Sequence, residues 1–259
     1  MIPLRDTIPS KNFPVINTLL IGLNVVMFGV QLMQGSDVGF HRFVYLYGLV
    51  PARYTFSGGG DGIPLIHQGF SLLSFMFLHG GFLHLASNML FLYIFGDNVE
   101  DHLGPLRYTA FYLFTGVISG LTHLALNPHS TVPTIGASGA VAGVMGAYFL
   151  LHPRAGILTL IPIIFIPWIV EIPAFFFIGI WFMIQIFNAP GSSAAASNIA
   201  WWAHIGGFVC GMILLKLLDA IPATGITSPI RKATARKKAT DSKWPAPLQS
   251  SRIGICKPP

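Results

Sequence analysis

The sequence predicts an all-α membrane protein, six transmembrane helices in one bundle with an interfacial first loop. Three observations carry that prediction. Hydrophobic residues make up 53% of the 259 and charged residues only 9%, too few charges to cover a soluble surface. The apolar runs have the roughly 20-residue length needed to cross a bilayer, and six of them stand out. The basic residues are distributed unevenly: all of the 15 Lys and Arg except Arg42 and Arg53 fall on one side of a six-span topology, the asymmetry that marks cytoplasmic segments. Both termini are therefore expected in the cytoplasm, and the chain is expected to be an integral multi-pass protein of a bacterial-type cell membrane.

Residues 1–14 read as a short cytoplasmic segment. The first span, Val15 to Met33, follows Arg5 and Lys11 and has no small-residue cleavage site behind it, so it reads as a retained signal-anchor helix. The loop from Gln34 to Gly80 carries Phe40, Phe43, Tyr45, Leu46 and Tyr47 and a flexible patch, Ser57 to Gly62. That composition predicts short helices lying on the outer leaflet. Spans two and three run from Gly81 to Glu100 and from Pro105 to Leu126. The irregular segment Asn127 to Ala137 follows, tolerable at membrane depth only if buried in protein or lining water. The fourth span is Ser138 to His152.

Between the fourth and fifth spans, Ile157 to Ile169 is apolar but interrupted by Pro162 and Pro167, and a seventh crossing would send the basic tail outside. A loop packed at the interface or against the bundle is expected there. The fifth span, Val170 to Phe187, contains Phe175, Phe176 and Phe177, bulky groups that can move without losing hydrogen bonds. After it, Asn188 to Asn198 is a small-residue loop suited to lifting as a cap. The sixth span is Ile199 to Leu218, which closes a membrane domain over 15–220. Residues 221–259 are rich in Pro, Ser, Thr, Lys and Arg and are expected to be disordered. Their basic run points to anionic headgroups of the lipid bilayer and not to nucleic acid. Cys210 in the last span and Cys256 in the tail are not expected to pair.

The chemistry centres on Gly136-Ala137-Ser138-Gly139-Ala140-Val141-Ala142-Gly143-Val144-Met145-Gly146. It sets one hydroxyl where the irregular segment gives way to an apolar helix, at the positive end of the dipole with unpaired N–H groups nearby. A developing oxyanion is stabilised in such a place. Taken alone, the stretch has an ordinary explanation, since small residues four apart are helix-packing surfaces in membranes and Ser is a common N-cap. Partners elsewhere change the weighing. His204 lies in Trp201-Trp202-Ala203-His204-Ile205-Gly206-Gly207, and Gly207 and Gly211 leave one face of that helix bare to pack against Gly139, Gly143 and Gly146. His84 and Asn88, spaced i and i+4, share a face of the second span. Ionisable groups within a span are functional candidates by default.

These side chains can meet only at a common depth. At about 1.5 Å per helical residue and a core of about 30 Å, Ser138 lies about 8 Å below the outer face, His204 about 8 Å, Asn88 about 10 Å and His84 about 5 Å. Four polar groups from three helices thus occupy one layer.

With these motifs assembled, the chain resembles the rhomboid family of intramembrane serine proteases. Gly136-Ala137-Ser138-Gly139, the His79 to Asn88 segment, Gly96-Asp97-Asn98-Val99-Glu100-Asp101-His102-Leu103-Gly104 and Ala203-His204-Ile205-Gly206-Gly207 carry the resemblance, which covers about residues 10 to 220. The resemblance implies a six-helix core, Ser138 as nucleophile, His204 as general base, and Asn88 with His84 as oxyanion donors. It also implies a structural role for His79 and a buried Glu100 that ties the second helix to its neighbours. Three positions depart from the family's pattern: Phe70-Ser71 stands where a Trp-Arg pair is frequent, and Ala142 replaces a tyrosine whose ring would stack on the base.

The implied chemistry is consistent with the residues. A serine hydroxyl is a poor nucleophile unless a neighbour accepts its proton, and neutral imidazole suits that task. No Asp or Glu lies near His204 in sequence, so a Ser/His dyad is expected, its ring held by packing and not by a carboxylate. Attack on a peptide carbonyl would give an acyl-enzyme that water hydrolyses, with no cofactor or metal. Substrates would be transmembrane proteins that enter sideways from lipid near the fifth span, and whose helix unwinds easily near its outer end. An aspartyl protease is poorly served by Gly58-Gly59-Gly60-Asp61, which sits in a polar loop without a partner aspartate in a span. No His-Glu-x-x-His is present for a metalloprotease. A transporter would call for internal repeats and charged groups within spans. The remaining alternative is a catalytically silent rhomboid-like protein that binds and escorts transmembrane helices.

Overall fold

A computed structural model of the chain describes residues 1–55, 65–163, 166–190 and 199–221. The segment Met1–Ala220 forms one compact unit; of a second, Ile221–Pro259, only Ile221 is described. The patch at 57–62 with Asp61, residues 191–198 of the expected cap and the basic tail with Cys256 lie outside the described residues. The chain order is β1 (Ile2–Asp6), α1 (Val15–Leu32), α2 (Asp37–Tyr47), α3 (Ala52–Thr55), α4 (Leu65–Ser74), a 3₁₀ turn at Phe75–Phe77, α5 (Phe82–Leu103), α6 (Pro105–Leu126), α7 (Ser138–Leu151), β2 (Gly156–Ile163), β3 (Ile166–Pro173), α8 (Ala174–Asn188) and α9 (Trp201–Ala220).

The chain is a mostly helical integral membrane protein. Among the described residues α1, α6 and α9 are long and apolar enough to cross a membrane, and the pair Ile66–Phe77 and Phe82–Leu103 also qualifies but is bent by 75° between its halves. The helices α7 and α8 are apolar but shorter. The outward surfaces are apolar too, as Leu19, Val26, Phe114, Phe176 and Ile213 show, which suits a lipid-facing surface.

The polar groups inside are spent on holding helices together. The first turn of α1 has no cap of its own, because its N-cap residue is Pro14. The Glu100 carboxylate, buried on α5, accepts instead from the backbone N–H of Ile16 at 3.0 Å and of Asn17 at 2.8 Å. A negative charge at a helix N-terminus satisfies orphan donors and meets the dipole. Asn17 extends the joint by donating to the Leu92 carbonyl and accepting from the Tyr108 hydroxyl.

The packing of α7 against α9 is closer. A Cβ on Gly207 would collide with the Gly139 carbonyl, and one on Gly211 would come within 2.6 Å of the Gly143 Cα. Bare glycine faces let the two backbones touch, which fixes the height of α9 relative to the start of α7.

The first loop is built of short helices, as its composition implies, and it braces the irregular segment before α7. Leu49 and Thr134 exchange backbone hydrogen bonds at 3.0 and 2.8 Å, Ala52 N–H donates to the Ser130 carbonyl, and Gly136 N–H donates to the Phe75 carbonyl at 2.9 Å. These bonds give several backbone groups of the irregular segment partners within the protein, as non-helical backbone in a membrane protein requires.

The all-α expectation needs correction at one end of the bundle. Of the stretch expected as a loop, Ile157 to Ile169, residues 157–163 and 166–169 lie in the antiparallel strands β2 and β3, and β1 adds a third antiparallel strand in the order β1-β2-β3. The fifth span is shortened accordingly, since Val170 to Pro173 belong to β3 and the helix begins at Ala174. The reason is legible afterwards: Ile157, Thr159, Ile161, Ile163, Ile166, Ile169, Val170 and Ile172 form a β-branched run. Pro162 and Pro167 face each other one pair from the last described pair of the ladder, Ile163 and Ile166.

Candidate active site

Ser138 is the first residue of α7, directly after Ala137 in the α region and Gly136 at φ 125°. That φ is open to glycine and strained for other residues. A Cβ at Gly136 would meet His84 Nε2 at 2.7 Å and lie 3.6 Å from Ser138 Oγ. The missing side chain therefore keeps open the space between those two polar groups. His204 stands in the first turn of α9, at the height set by the glycine contact. Its Nε2 is 2.7 Å from Ser138 Oγ. Residues 66 positions apart thus form a direct hydrogen bond across the α7–α9 seam.

The other two candidates come from α5. Asn88 is buried, and its Nδ2 bonds to no protein group. His84 accepts at Nδ1 from the Gly80 backbone N–H at 3.3 Å. A neutral imidazole carries one proton, so an accepting Nδ1 leaves Nε2 of His84 as the donor, facing Gly136. Ser138, His204, Asn88 and His84 all line one cavity of about 960 Å³, with Trp181, Trp201 and Met145 also in its wall. Such a site presents a hydroxyl next to a proton acceptor, with the His84 ring beside the same serine and the unpartnered Asn88 amide buried in the wall.

The His79 side chain stands behind this layer, fully buried. Its backbone is held by Gln31 of α1, whose amide accepts from His79 N–H at 2.9 Å and donates to the His79 carbonyl at 3.1 Å. Its ring packs edge-on against His84 at 5.2 Å between centroids. The Phe70-Ser71 departure puts an exposed ring beside a buried hydroxyl, and Ser71 bonds within the first loop to Tyr54 and the Gln68 carbonyl. Among the described residues no group of three His, Cys, Asp or Glu side chains could hold a metal ion.

Two neighbours of His204 escape the sequence reading. Gln185 on α8 places Oε1 2.8 Å from His204 Nδ1, and the Trp181 ring lies 6.0 Å from the imidazole at 34°. The Trp181 ring thus lies near the base on a side where Ala142 offers none, tilted and not stacked on it. Gln185 also ties α8 to α9 through His204. A signal was present: a glutamine in Trp181-Phe182-Met183-Ile184-Gln185-Ile186-Phe187 is a polar group within a span, which calls for a partner.

Comparison with known proteins places these features in context. The family model described as Rhomboid domain matches residues 67–219. The chain is 26% identical to Rhomboid-like protein 11, chloroplastic, of Arabidopsis thaliana, over 74% of this chain and 62% of that protein. It is 28% identical to Rhomboid protein 1, mitochondrial, of Saccharomyces cerevisiae, over 75% of this chain and 50% of that protein. It is 29% identical to Rhomboid protease GluP of Bacillus subtilis, over 82% of this chain and 36% of that protein. The chain thus spans between about a third and two-thirds of the length of these relatives.

Proposed function

This chain belongs to the rhomboid family, and from that premise we propose that it is an intramembrane serine endopeptidase acting through Ser138 and His204. The observation that carries the reading is the 2.7 Å hydrogen bond between His204 Nε2 and Ser138 Oγ inside a cavity that also holds spare donors. As Ser138 Oγ attacks the scissile carbonyl carbon, His204 Nε2 takes its proton. The carbonyl π pair moves onto oxygen, which sits against Asn88 Nδ2, His84 Nε2–H and the Ser138 backbone N–H. Collapse of the tetrahedral adduct breaks the C–N bond, and the imidazolium returns its proton to the leaving amine. Water then repeats the sequence on the acyl-enzyme, with His204 as base, and frees Ser138.

The chain crosses the bilayer six times, through α1, α5, α6, α7, α8 and α9, with the first loop on the outer leaflet and both termini in the cytoplasm of a bacterial-type cell. The distribution of Lys and Arg supports this orientation. Substrates are transmembrane proteins reached from lipid past α8, whose outward Phe175, Phe176 and Ile180 are exposed. A bond can be attacked only when extended, so cleavage falls near the outer end of a substrate helix weakened by Gly, Pro or similar residues. The rest of a catalytically silent escort protein would need no such hydrogen-bonded pair.

The test is reconstitution in liposomes with a single-span substrate carrying a Gly-Pro-weakened outer end. Wild type cleaves it and is labelled at Ser138 by a fluorophosphonate; Ser138→Ala and His204→Ala do neither. Cleavage surviving both substitutions refutes the pair, and a wild type that neither cleaves nor labels turns the reading toward the escort.

A further inference from the structure

We propose that Gln185 is a positioning residue for the general base, fixing which nitrogen of His204 carries the proton. The inference rests on the hydrolase reading above and adds to it a third side chain, from a third helix. It begins with the amide itself. Gln185 is almost fully buried, at 3% exposure, within an apolar helix. A polar group in that setting is expensive unless bonded on both ends.

The two ends can be told apart. One end of the amide is 2.8 Å from the backbone carbonyl of Trp181, one turn back on α8. A carbonyl only accepts, so the group facing it is the NH₂. The other end, 2.8 Å from His204 Nδ1, is then the carbonyl oxygen Oε1. An oxygen at that distance requires Nδ1 to be the protonated nitrogen. The lone pair of the neutral imidazole is left on Nε2, which faces Ser138 Oγ. The chain of three bonds, Trp181 carbonyl to Gln185 to His204 to Ser138, has one consistent set of donors. That set has the base ready to accept a proton from serine.

The opposite tautomer would place an N–H against the Ser138 hydroxyl and leave the only imidazole lone pair on Nδ1, facing Gln185 and away from the serine. A buried acceptor on the far nitrogen suppresses that state, as second-layer partners of histidine do elsewhere. Packing alone is expected from the sequence to hold the ring; a neutral amide orients it instead, without placing a charge in the membrane. The bland reading, a glutamine merely satisfied by its own helix, accounts for the NH₂ and not for Oε1. Because Gln185 rides on α8, any displacement of that helix large enough to break the 2.8 Å contact also releases the tautomer of His204.

The experiment is ¹⁵N-histidine NMR on the full chain in lipid nanodiscs, with His204 assigned by its loss in His204→Ala, read beside kcat and KM on the single-span substrate. In wild type His204 is expected neutral with its proton on Nδ1. Gln185→Leu should spread that proton over both nitrogens and lower kcat by about 10- to 100-fold with KM unchanged. Gln185→Glu keeps an acceptor at the same place and should retain the Nδ1 proton and most of the rate. A wild-type His204 protonated at Nε2 overturns the proposal with no variant needed, and so does a Gln185→Leu enzyme with unaltered tautomer and kcat. If the proton sits on Nδ1 but Ser138 fails to react with a fluorophosphonate, the hydrolase reading falls, and the positioning role falls with it.

Discussion

Replacing Gly207 with alanine should separate the nucleophile from its base without touching either. The added Cβ would lie 2.9 Å from the Gly139 carbonyl carbon and closer still to its oxygen, where ordinary contact begins at 3.4 Å. Backbone on both sides leaves no flexible side chain to yield, so α9 must retreat from α7 by on the order of 1 Å, at an overpacking cost of about 1–3 kcal/mol. Gly139 follows Ser138, and Gly207 is three residues after His204. The same retreat therefore stretches the 2.7 Å Ser138–His204 contact past the roughly 3.2 Å at which such bonds weaken. A 1 Å misplacement at a reacting centre costs on the order of 10²-fold. The assay is the rate of fluorophosphonate labelling at Ser138 and of substrate cleavage, with folding followed by thermal unfolding. Gly22→Ala on α1, where an added Cβ meets nothing within 4 Å, is the control and should leave both rates unchanged. A Gly207→Ala protein that is folded and labels at the wild-type rate would refute the reasoning.

Asn88→Ala should lower kcat by about 10²- to 10³-fold, the usual cost of one oxyanion donor, while the thermal midpoint stays near wild type because Asn88 Nδ2 has no protein partner to lose. His84→Ala should act in the same direction, and the two losses together should fall short of their product if both donors hold one oxygen. Glu100→Ala leaves one buried and one part-buried N–H group of α1 unpaired and should destabilise by about 1–3 kcal/mol, whereas Glu100→Gln keeps one acceptor and costs less; equal midpoints for both would sink the capping role. In spheroplast or inverted-vesicle preparations, protease added from the cytoplasmic side should remove the basic tail, and cleavage from the outer side would reverse the proposed orientation.

Much of the frame could be read before coordinates because the bilayer makes sequence periodicity and length informative. The run from Pro105 to Leu126 coincides with α6, since Pro at the first position and the loss of apolar character at Asn127 mark both ends. The contact between Gly207 and Gly139 was also legible, because bare glycines have few uses within a span other than close approach. The sheet was not. Ile157 to Ile169 has the composition of a strand and of a membrane helix alike, and the strand that completes it, Ile2–Asp6, is far away in sequence. Pairing partners at that separation leave no local trace. Gln185 was missed for a related reason. The chain near His204 offers no carboxylate, and the group that meets Nδ1 is a neutral amide on another helix.

The placement of Ser138 follows from how short α7 is. Its 14 residues span about 21 Å at 1.5 Å per residue, well short of a hydrocarbon core of about 30 Å. A helix of that length cannot carry its first residue to the outer surface if its last residue sits at the inner one. Something other than helix must fill the remaining depth, and non-helical backbone there needs protein partners. The first loop provides them: Leu49 to Thr134, Ala52 to Ser130 and Phe75 to Gly136. In the six-span topology proposed above, the loop that looks peripheral in sequence would therefore be what lets α7 begin beneath the surface, with its positive end and its serine facing the cavity. A longer α7 would place Ser138 nearer the surface in that topology, away from the level at which α9 offers His204.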